Sequence, residues 1–511
     1  DLCVIGAGAA GITIARELAG TPIRVCLLES GGVQPDPQTQ ALYEGENVGL
    51  PYYDLTELRL RFLGGTTNHW SGVCGPLDPI DFQRRSWVPL SGWPLERPDL
   101  DPYYERAHVV CELGPYEYRP QAWEGPSRRQ LPLDPDRIRS AMYQASPPTR
   151  FGSVYRDMLE SAANIDTYLH ANAVDLVAVG SGRGLSHVRG ATLAGNGFVV
   201  RAKEYVLATG AIENARLLLA SDGVHRGGLG NGNGLVGRHF MEHLAVPSGL
   251  LVPADEGRLR LYTEEHRLGG SGVRGKAFLA LSRRVQEREE LLNARAYIDP
   301  ADDVEALRGT SPGVESVYGL MQSLRDGGDA AAYAANVAQD LDGIVRYSYR
   351  RLFRPPKLKA YWLYMHMENA PHADSRVTLS DERDALGMRR VQLDWRLGDL
   401  ERRTFERCAR IMAEELGRAG VGRVRLLAPD VATGWPTVYR GLRGAWHQMG
   451  TTRMDRDPRR GVVDEQCRVH GVANLSIAGS SVFPTSGYTN PTLTLVALSI
   501  RLADRLKGEL A

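Results

Sequence analysis

The stretch Leu2-Cys3-Val4-Ile5-Gly6-Ala7-Gly8-Ala9-Ala10-Gly11 decides the fold, together with Ile12, Ala15 and Ala19 behind it and the apolar run Ile23 to Leu28 that ends at Glu29. A short apolar run bounded by glycine reads as a buried strand, residues at helical spacing as a helix packed on it, and the second run as a second strand. This is a βαβ unit. Its glycines have the Gly-x-Gly-x-x-Gly spacing in the required context, between strand and helix. The first makes the turn, the second lets backbone approach a pyrophosphate, and the third lets helix and strand pack closely. The helix N-terminus supplies unpaired N–H groups and partial positive charge for phosphates. Glu29 is placed to hold a ribose 2′-hydroxyl and to repel a 2′-phosphate. A glycine-rich turn without a ligand is the alternative, disfavoured by strand, helix and acid occurring together. The motif does not separate FAD from NAD.

Outward from this unit, 511 residues are too many for one compact core, which implies two domains, contiguous or interleaved. Lys+Arg and Asp+Glu both total 61, so no basic excess points to nucleic acid and no acidic tail is present. With 43% hydrophobic residues but no long apolar run, no transmembrane segment is expected. The six cysteines are scattered, without a C-x-x-C pair or zinc spacing, which predicts reduced thiols and a cytoplasmic protein, a removed leader being the alternative.

The stretch from Pro35 to Asp81 is loop-rich, and Asp101-Pro102 predicts an N-cap and first-turn proline of a helix. Short alternating runs from Thr167 to Leu207 predict a β-meander leading into a strand at Glu204 to Ala208. Between about 250 and 430, strands are expected at Lys357 to Met367, Arg376 to Ser380 and Arg390 to Trp395, and helices at Gly327 to Ala338 and Leu400 to Leu416. The chain then returns to its opening style, with a strand at Leu475 to Ala478, a Gly/Ser turn and a long terminal helix. Asn490-Pro491 predicts its N-cap and first-turn proline, with Leu493, Val496, Ala497 and Ile500 as the buried stripe. The two ends therefore read as one domain with the middle inserted into it.

Five ordered motifs carry a resemblance. They are Gly6-Ala-Gly-Ala-Ala-Gly11 with Glu29, Gly64-Gly-Thr-Thr-Asn-His-Trp70, Leu207-Ala-Thr-Gly-Ala-Ile-Glu-Asn-Ala-Arg216, Trp446-His-Gln-Met-Gly-Thr-Thr-Arg-Met454, and Ile477-Ala-Gly-Ser-Ser-Val-Phe-Pro-Thr-Ser-Gly487 with Thr489-Asn-Pro-Thr-Leu-Thr494. Over essentially its whole length the chain resembles the glucose–methanol–choline oxidoreductases. The resemblance implies an α/β fold: a Rossmann-like FAD-binding domain with an interleaved α+β substrate domain on an antiparallel or mixed sheet. The expected division is 1–90, 165–250 and 430–511 for the FAD-binding domain, and 91–164 and 251–429 for the substrate domain. FAD contacts are expected from Gly6, Gly8, Ala9, Gly11, Glu29, Gly65, Thr66, Asn68, His69, Val174, Ala208, Gly210, Asn214, Gly479, Ser480, Asn490, Pro491 and Thr492. His69 matches the register of the histidine that pyranose oxidases bond covalently to flavin. Non-covalent packing is the expectation here, because the rest of that pattern is not reproduced.

The catalytic pair implied by the resemblance is His447 and Asn490. His447 would take the hydroxyl proton of an alcohol and Asn490 would orient the hydroxyl while hydride leaves for the flavin. Taken singly, a histidine after Trp446 is also a core histidine, and Asn490 is also a helix cap. Gln448 stands where many relatives have proline, a form nearer to bacterial sugar and sugar-acid dehydrogenases. The expected reaction is oxidation of a sugar, glycoside or aminoglycoside alcohol to aldehyde or ketone, as in aminoglycoside biosynthesis, with oxygen, a quinone or a redox protein as acceptor. A flavin-containing lyase on the same fold and oxidation of a non-sugar alcohol are the alternatives. His239 and His243 have the i, i+4 spacing of zinc ligands on a helix but lack a third ligand, so no metal is expected. Tyr364 and His366 are candidates for a substrate pocket.

Overall fold

In the computed structural model, which describes residues 1–301, 360–427 and 443–511 with the isolated positions 317, 337, 341, 344, 345 and 435, the opening stretch folds as strand, helix and strand. The strands of the two large sheets are, in chain order, β1 (Leu2–Ile5), β2 (Val25–Leu28), β3 (Ile138–Ala145), β4 (Ile165–Tyr168), β5 (Glu204–Leu207), β6 (Leu244–Pro253), β7 (Arg274–Leu281), β8 (Ala294–Ala301), β9 (Ala360–Met367), β10 (Gly422–Leu426) and β11 (Leu475–Ile477). Three helices matter for the site: α1 (Ala9–Leu18), α2 (Ala211–Ala220) and α3 (Thr492–Leu510).

The first sheet is parallel throughout, in the order β11-β5-β1-β2-β4. Strand β1 lies at its centre with every residue buried, which is why it is uniformly apolar rather than alternating. The close packing of α1 on β1 depends on two glycines. Gly6 has φ +102°, and a Cβ there would sit 2.6 Å from the Ala208 carbonyl oxygen. A Cβ on Gly11 would lie 1.9 Å from the Gly6 carbonyl oxygen. Both obstacles are backbone and cannot swing aside.

The second sheet has nine strands, and its long strands follow the order β10-β6-β9-β8-β7-β3 with every pairing antiparallel. Val73–Cys74 extends it beside β3, so the first ninety residues contribute to both sheets. The chain alternates between the sheets, and its last strand, β11, returns to pair with β5. The expected meander is present as Asn172–Ala178, Leu185–Ala191 and Gly197–Val200.

One helix starts earlier than its sequence suggests. It runs Arg97–Val110, capped by reciprocal bonds between Glu96 and Asp99, and Pro98 holds the first-turn place assigned to Pro102. Pro102 lies inside the helix, without a main-chain N–H to donate. Apart from residue 337, the helix expected at Gly327 to Ala338 lies outside the described residues.

Gly11→Ala is expected to destabilise the protein by about 1–3 kcal/mol, the cost of overpacking against backbone that cannot yield. Gly8→Ala meets nothing within 4 Å and should leave the unfolding midpoint of the ligand-free protein nearly unchanged. Urea unfolding of the two variants checks the contrast.

Candidate active site

A cavity of about 470 Å³ lies at the carboxyl ends of β1, β5 and β11. Sheet topology places it there, because parallel strands deliver their following loops to one edge. The N-termini of α1, α2 and α3 meet it through Gly8, Gly210, Pro491 and Thr492, and none has a side-chain cap. Their unpaired N–H groups and aligned dipoles make this edge an anion-binding one.

The structure brings most of the residues singled out from sequence to this cavity: Gly6, Gly8, Ala9, Glu29, Gly65, Thr66, His69, Ala208, Gly210, Gly479, Ser480, Asn490, Pro491 and Thr492, with His447. Four do not line it. Gly11 packs beneath the Gly6 carbonyl. Asn68 turns inward and donates to the Leu63 and Gly65 carbonyls. Asn214 accepts from the Thr209 main-chain N–H at 2.9 Å and donates to Ser481 Oγ at 3.0 Å, tying two cavity loops together from behind. Val174 sits at a register shift between Ala173 and Asp175, and its neighbours Asn172 and Ala173 form the wall instead.

Both carboxylate oxygens of Glu29 are held by backbone, from Ala7 and Gly31 at 2.9 Å each, so the chain itself fixes the orientation of the group. Burial raises its pKa above the ordinary carboxylate value. Beside it Arg59 and Arg61 each reach Glu213 at 2.8 Å and lie over the Tyr43 ring. Only Glu213 belongs to a motif recognised in sequence.

His447 is positioned by one buried carboxylate. Glu242 Oε1 accepts from the main-chain N–H groups of Ala445 at 3.2 Å and His447 at 2.7 Å, and from that of its own neighbour His243 at 2.9 Å. The short strand Arg443–Gly444, paired with the start of β6, delivers residues 445 and 447 to this oxygen. Oε2 of Glu242 accepts from the Tyr52 hydroxyl. Because one oxygen binds the N–H groups of residues 445 and 447, the residue between them is forced to the apex of a tight turn. That residue is Trp446, at φ +65°, a conformation costing a non-glycine residue on the order of 1–3 kcal/mol. Trp446 is 41% exposed, and its ring lies 5.2 Å from that of His69. Burial pushes Glu242 up to about 7.

The His447 ring meets a second histidine: Nδ1 of His243 and Nδ1 of His447 are 2.9 Å apart. Burial is the main cause that holds His447 well below the usual histidine range, helped by His243, His366 and Arg295. Burial pushes His243 down to about 3. Both rings are therefore neutral at ordinary pH. His243 and His239 do not share a helix face, since Gly237 and His239 have φ +84° and +61° and Met241 bridges to Met449. Among the described residues no group of three or more His, Cys, Asp or Glu is placed to hold a metal.

Asn490 is not the helix cap its sequence position suggests. The cap position is Pro491, and the Asn490 amide oxygen instead accepts from Arg295 Nη2 at 2.7 Å. Arg295, on β8, is 1% exposed and has no carboxylate partner among the described residues. Its guanidinium lies 4.7–5.4 Å from the rings of Tyr297, Phe278 and Tyr488. His366, on β9, packs against Tyr297 at 5.2 Å and is half-buried, whereas Tyr364 donates to the Ala245 carbonyl; neither lines the cavity. Glu242, His243 and Arg295 carry no recognised motif in the sequence.

Comparisons with known proteins agree with this architecture. A family model described as GMC oxidoreductase matches residues 371–499, and one described as FAD dependent oxidoreductase matches residues 1–226. The chain is 24% identical to the 2-methyl-1,2-propanediol dehydrogenase of Mycolicibacterium austroafricanum, over 99% of this chain and 94% of that protein. It is 27% identical to the 6‴-hydroxyparomomycin C oxidase of Streptomyces lividus, over 100% of this chain and 92% of that protein. Among solved structures, formate oxidase superposes with a TM-score of 0.57 at 17% identity, over 100% of this chain and 98% of that one, a likeness of fold.

Glu242→Leu should leave three N–H donors without this partner, the buried one of His243 at about 1–3 kcal/mol and the half-buried ones of Ala445 and His447 at less. Glu242→Gln keeps an oxygen for them and should lose far less. Chemical denaturation of both variants tests whether this carboxylate holds the turn.

Proposed function

We propose, for a chain that belongs to the glucose–methanol–choline family of FAD-dependent oxidoreductases, oxidation of an alcohol group on a sugar, glycoside or aminoglycoside, with His447 as proton acceptor and Asn490 orienting the hydroxyl. The enzyme is an FAD-dependent alcohol oxidoreductase. The residues present fit FAD: three uncapped helix N-termini face one cavity, and Glu29 is pre-aimed for a ribose. Bound FAD supplies the acceptor for the hydrogen that leaves the carbinol carbon.

The observation that carries the proposal is the complementary polarity of the pair. Arg295 can only donate, so the Asn490 atom it meets is the amide oxygen, and the NH₂ end remains for a ligand. His447 is neutral and able to accept. An alcohol hydroxyl is both donor and acceptor. It can donate its proton to His447 while its oxygen accepts from Asn490, which lowers the cost of charge developing on that oxygen.

The sugar reading is supported by the exposed indole of Trp446 on the cavity wall. A flat apolar face beside polar groups suits the C–H face of a pyranose ring. The Streptomyces relative is named for an aminoglycoside and the Mycolicibacterium relative for a diol, so a non-sugar alcohol is the competing substrate class. Oxygen, a quinone or a redox protein would complete turnover. No helix among the described residues is long and apolar enough to cross a membrane. A cytoplasmic location is part of the proposal and is supported by six unpaired cysteines.

Substrate-driven bleaching of flavin absorbance without oxygen, across a panel of sugars, aminoglycosides and simple diols, tests the reaction and its substrate class together. His447→Ala should slow bleaching by about 10²–10⁴-fold while FAD stays bound, and unchanged kinetics would refute the role. Since the folded-state pKa of His447 is depressed, its accepting form persists as pH falls through the ordinary histidine value. kcat/KM should therefore stay level as pH falls past about 6.5, where an unperturbed histidine would be half protonated. Trp446→Ala should raise KM for a sugar about tenfold with a smaller effect on kcat, the scale of one aromatic contact.

A further inference from the structure

We propose that His243 is a positioning residue that fixes the tautomer of His447, so that His447 turns a bare Nε2 towards the cavity. This rests on the reading of His447 as proton acceptor and adds a residue to it.

At the far end of the contact, His243 Nε2 lies 3.3 Å from the Ser486 carbonyl oxygen, and the Gly487 carbonyl also faces this ring. A carbonyl oxygen only accepts, so Nε2 of His243 carries a hydrogen. The ring is fully buried and neutral, which leaves its Nδ1 with a lone pair. That lone pair is 2.9 Å from Nδ1 of His447, a distance suited to one hydrogen between the two nitrogens. His447 must supply that hydrogen. A neutral imidazole has one N–H, so the second nitrogen of His447, Nε2, is bare.

The opposite arrangement is disfavoured at two places. If His447 carried its hydrogen on Nε2, His243 would have to donate from Nδ1. Its own Nε2 lone pair would then face the Ser486 and Gly487 carbonyls. The order Ser486 carbonyl, His243, His447, cavity therefore has a built-in polarity, and its last member is a proton acceptor. The Glu242 carboxylate does not interfere, because it binds the His447 main-chain N–H and leaves the ring free to obey His243.

Two variants of His243 and one spectroscopic measurement test this. His243→Leu removes the acceptor, and His243→Asn restores an oxygen close to where Nδ1 stood. In His243→Leu, anaerobic flavin reduction should fall by about 10²-fold or more with KM within a few-fold, the scale of losing a correctly poised base. His243→Asn should recover most of the rate. In the holoenzyme, ¹⁵N NMR of labelled histidines, assigned with His447→Gln, should show a protonated Nδ1 and a bare Nε2 for His447. His243→Leu should shift that signature towards the other tautomer. A protonated Nε2 in the parent enzyme would overturn the proposal, as would an Asn variant as slow as the Leu variant, or a Leu variant with unchanged rate and tautomer. If His243→Leu fails to fold, the parent spectrum and the Asn variant still decide. Normal flavin reduction in His447→Ala would instead overturn the reading of His447 itself, which keeps the two failures apart.

Discussion

A single buried carboxylate oxygen, Oε1 of Glu242, binds main-chain N–H groups from two parts of the chain that are remote in sequence. Burying a carboxylate is costly unless its lone pairs are used, and here both oxygens are engaged. In return the turn at 445–447 has no freedom. Trp446 is held in the left-handed region, His447 is fixed beside His243, and the exposed indole is presented at the cavity wall. Strain at Trp446 persists because the surrounding bonds over-determine it.

The two sheets supply different things to one cavity. The parallel sheet converges helix N-termini and close backbone approach, which suit an anionic dinucleotide regardless of its substrate. The antiparallel sheet supplies, behind the cavity wall, Arg295 from β8, which holds Asn490, and, just before β6, His243, which meets His447. Side chains anchored on paired strands hold their geometry more precisely than side chains on loops. Arg295 then sets the polarity of Asn490 by the plain fact that a guanidinium cannot accept.

How much of this is legible in the sequence follows the range of the interactions. The βαβ unit is legible because its determinants, from Leu2 to Glu29, are neighbours in sequence, and the glycines at 6, 8 and 11 report local backbone demands. His447 and Asn490 emerge only through their place in ordered motifs. Asn490 before Pro491 reads as a cap because capping is local, and the competing donor, Arg295, lies nearly two hundred residues away. His243 escapes for the same reason. Its spacing from His239 suggests a helix face, whereas its partner is brought by the pairing that places residues 241 and 449 together. Glu242 has no local signature at all. Its role exists only once residues 445 and 447 arrive.

The alternation of the chain between sheets has a consequence for biogenesis. Strand β5 pairs on one side with β1 and on the other with β11, joining Val206 to Ser476. The cavity edge is therefore shared between strands that leave a ribosome far apart in time. Until the segment carrying Gly479 and Asn490 is made, the opening βαβ unit has half a cradle and an unpaired neighbour at β5. Closure of the cavity edge waits for that segment, and until then β5 has one apolar strand edge uncovered.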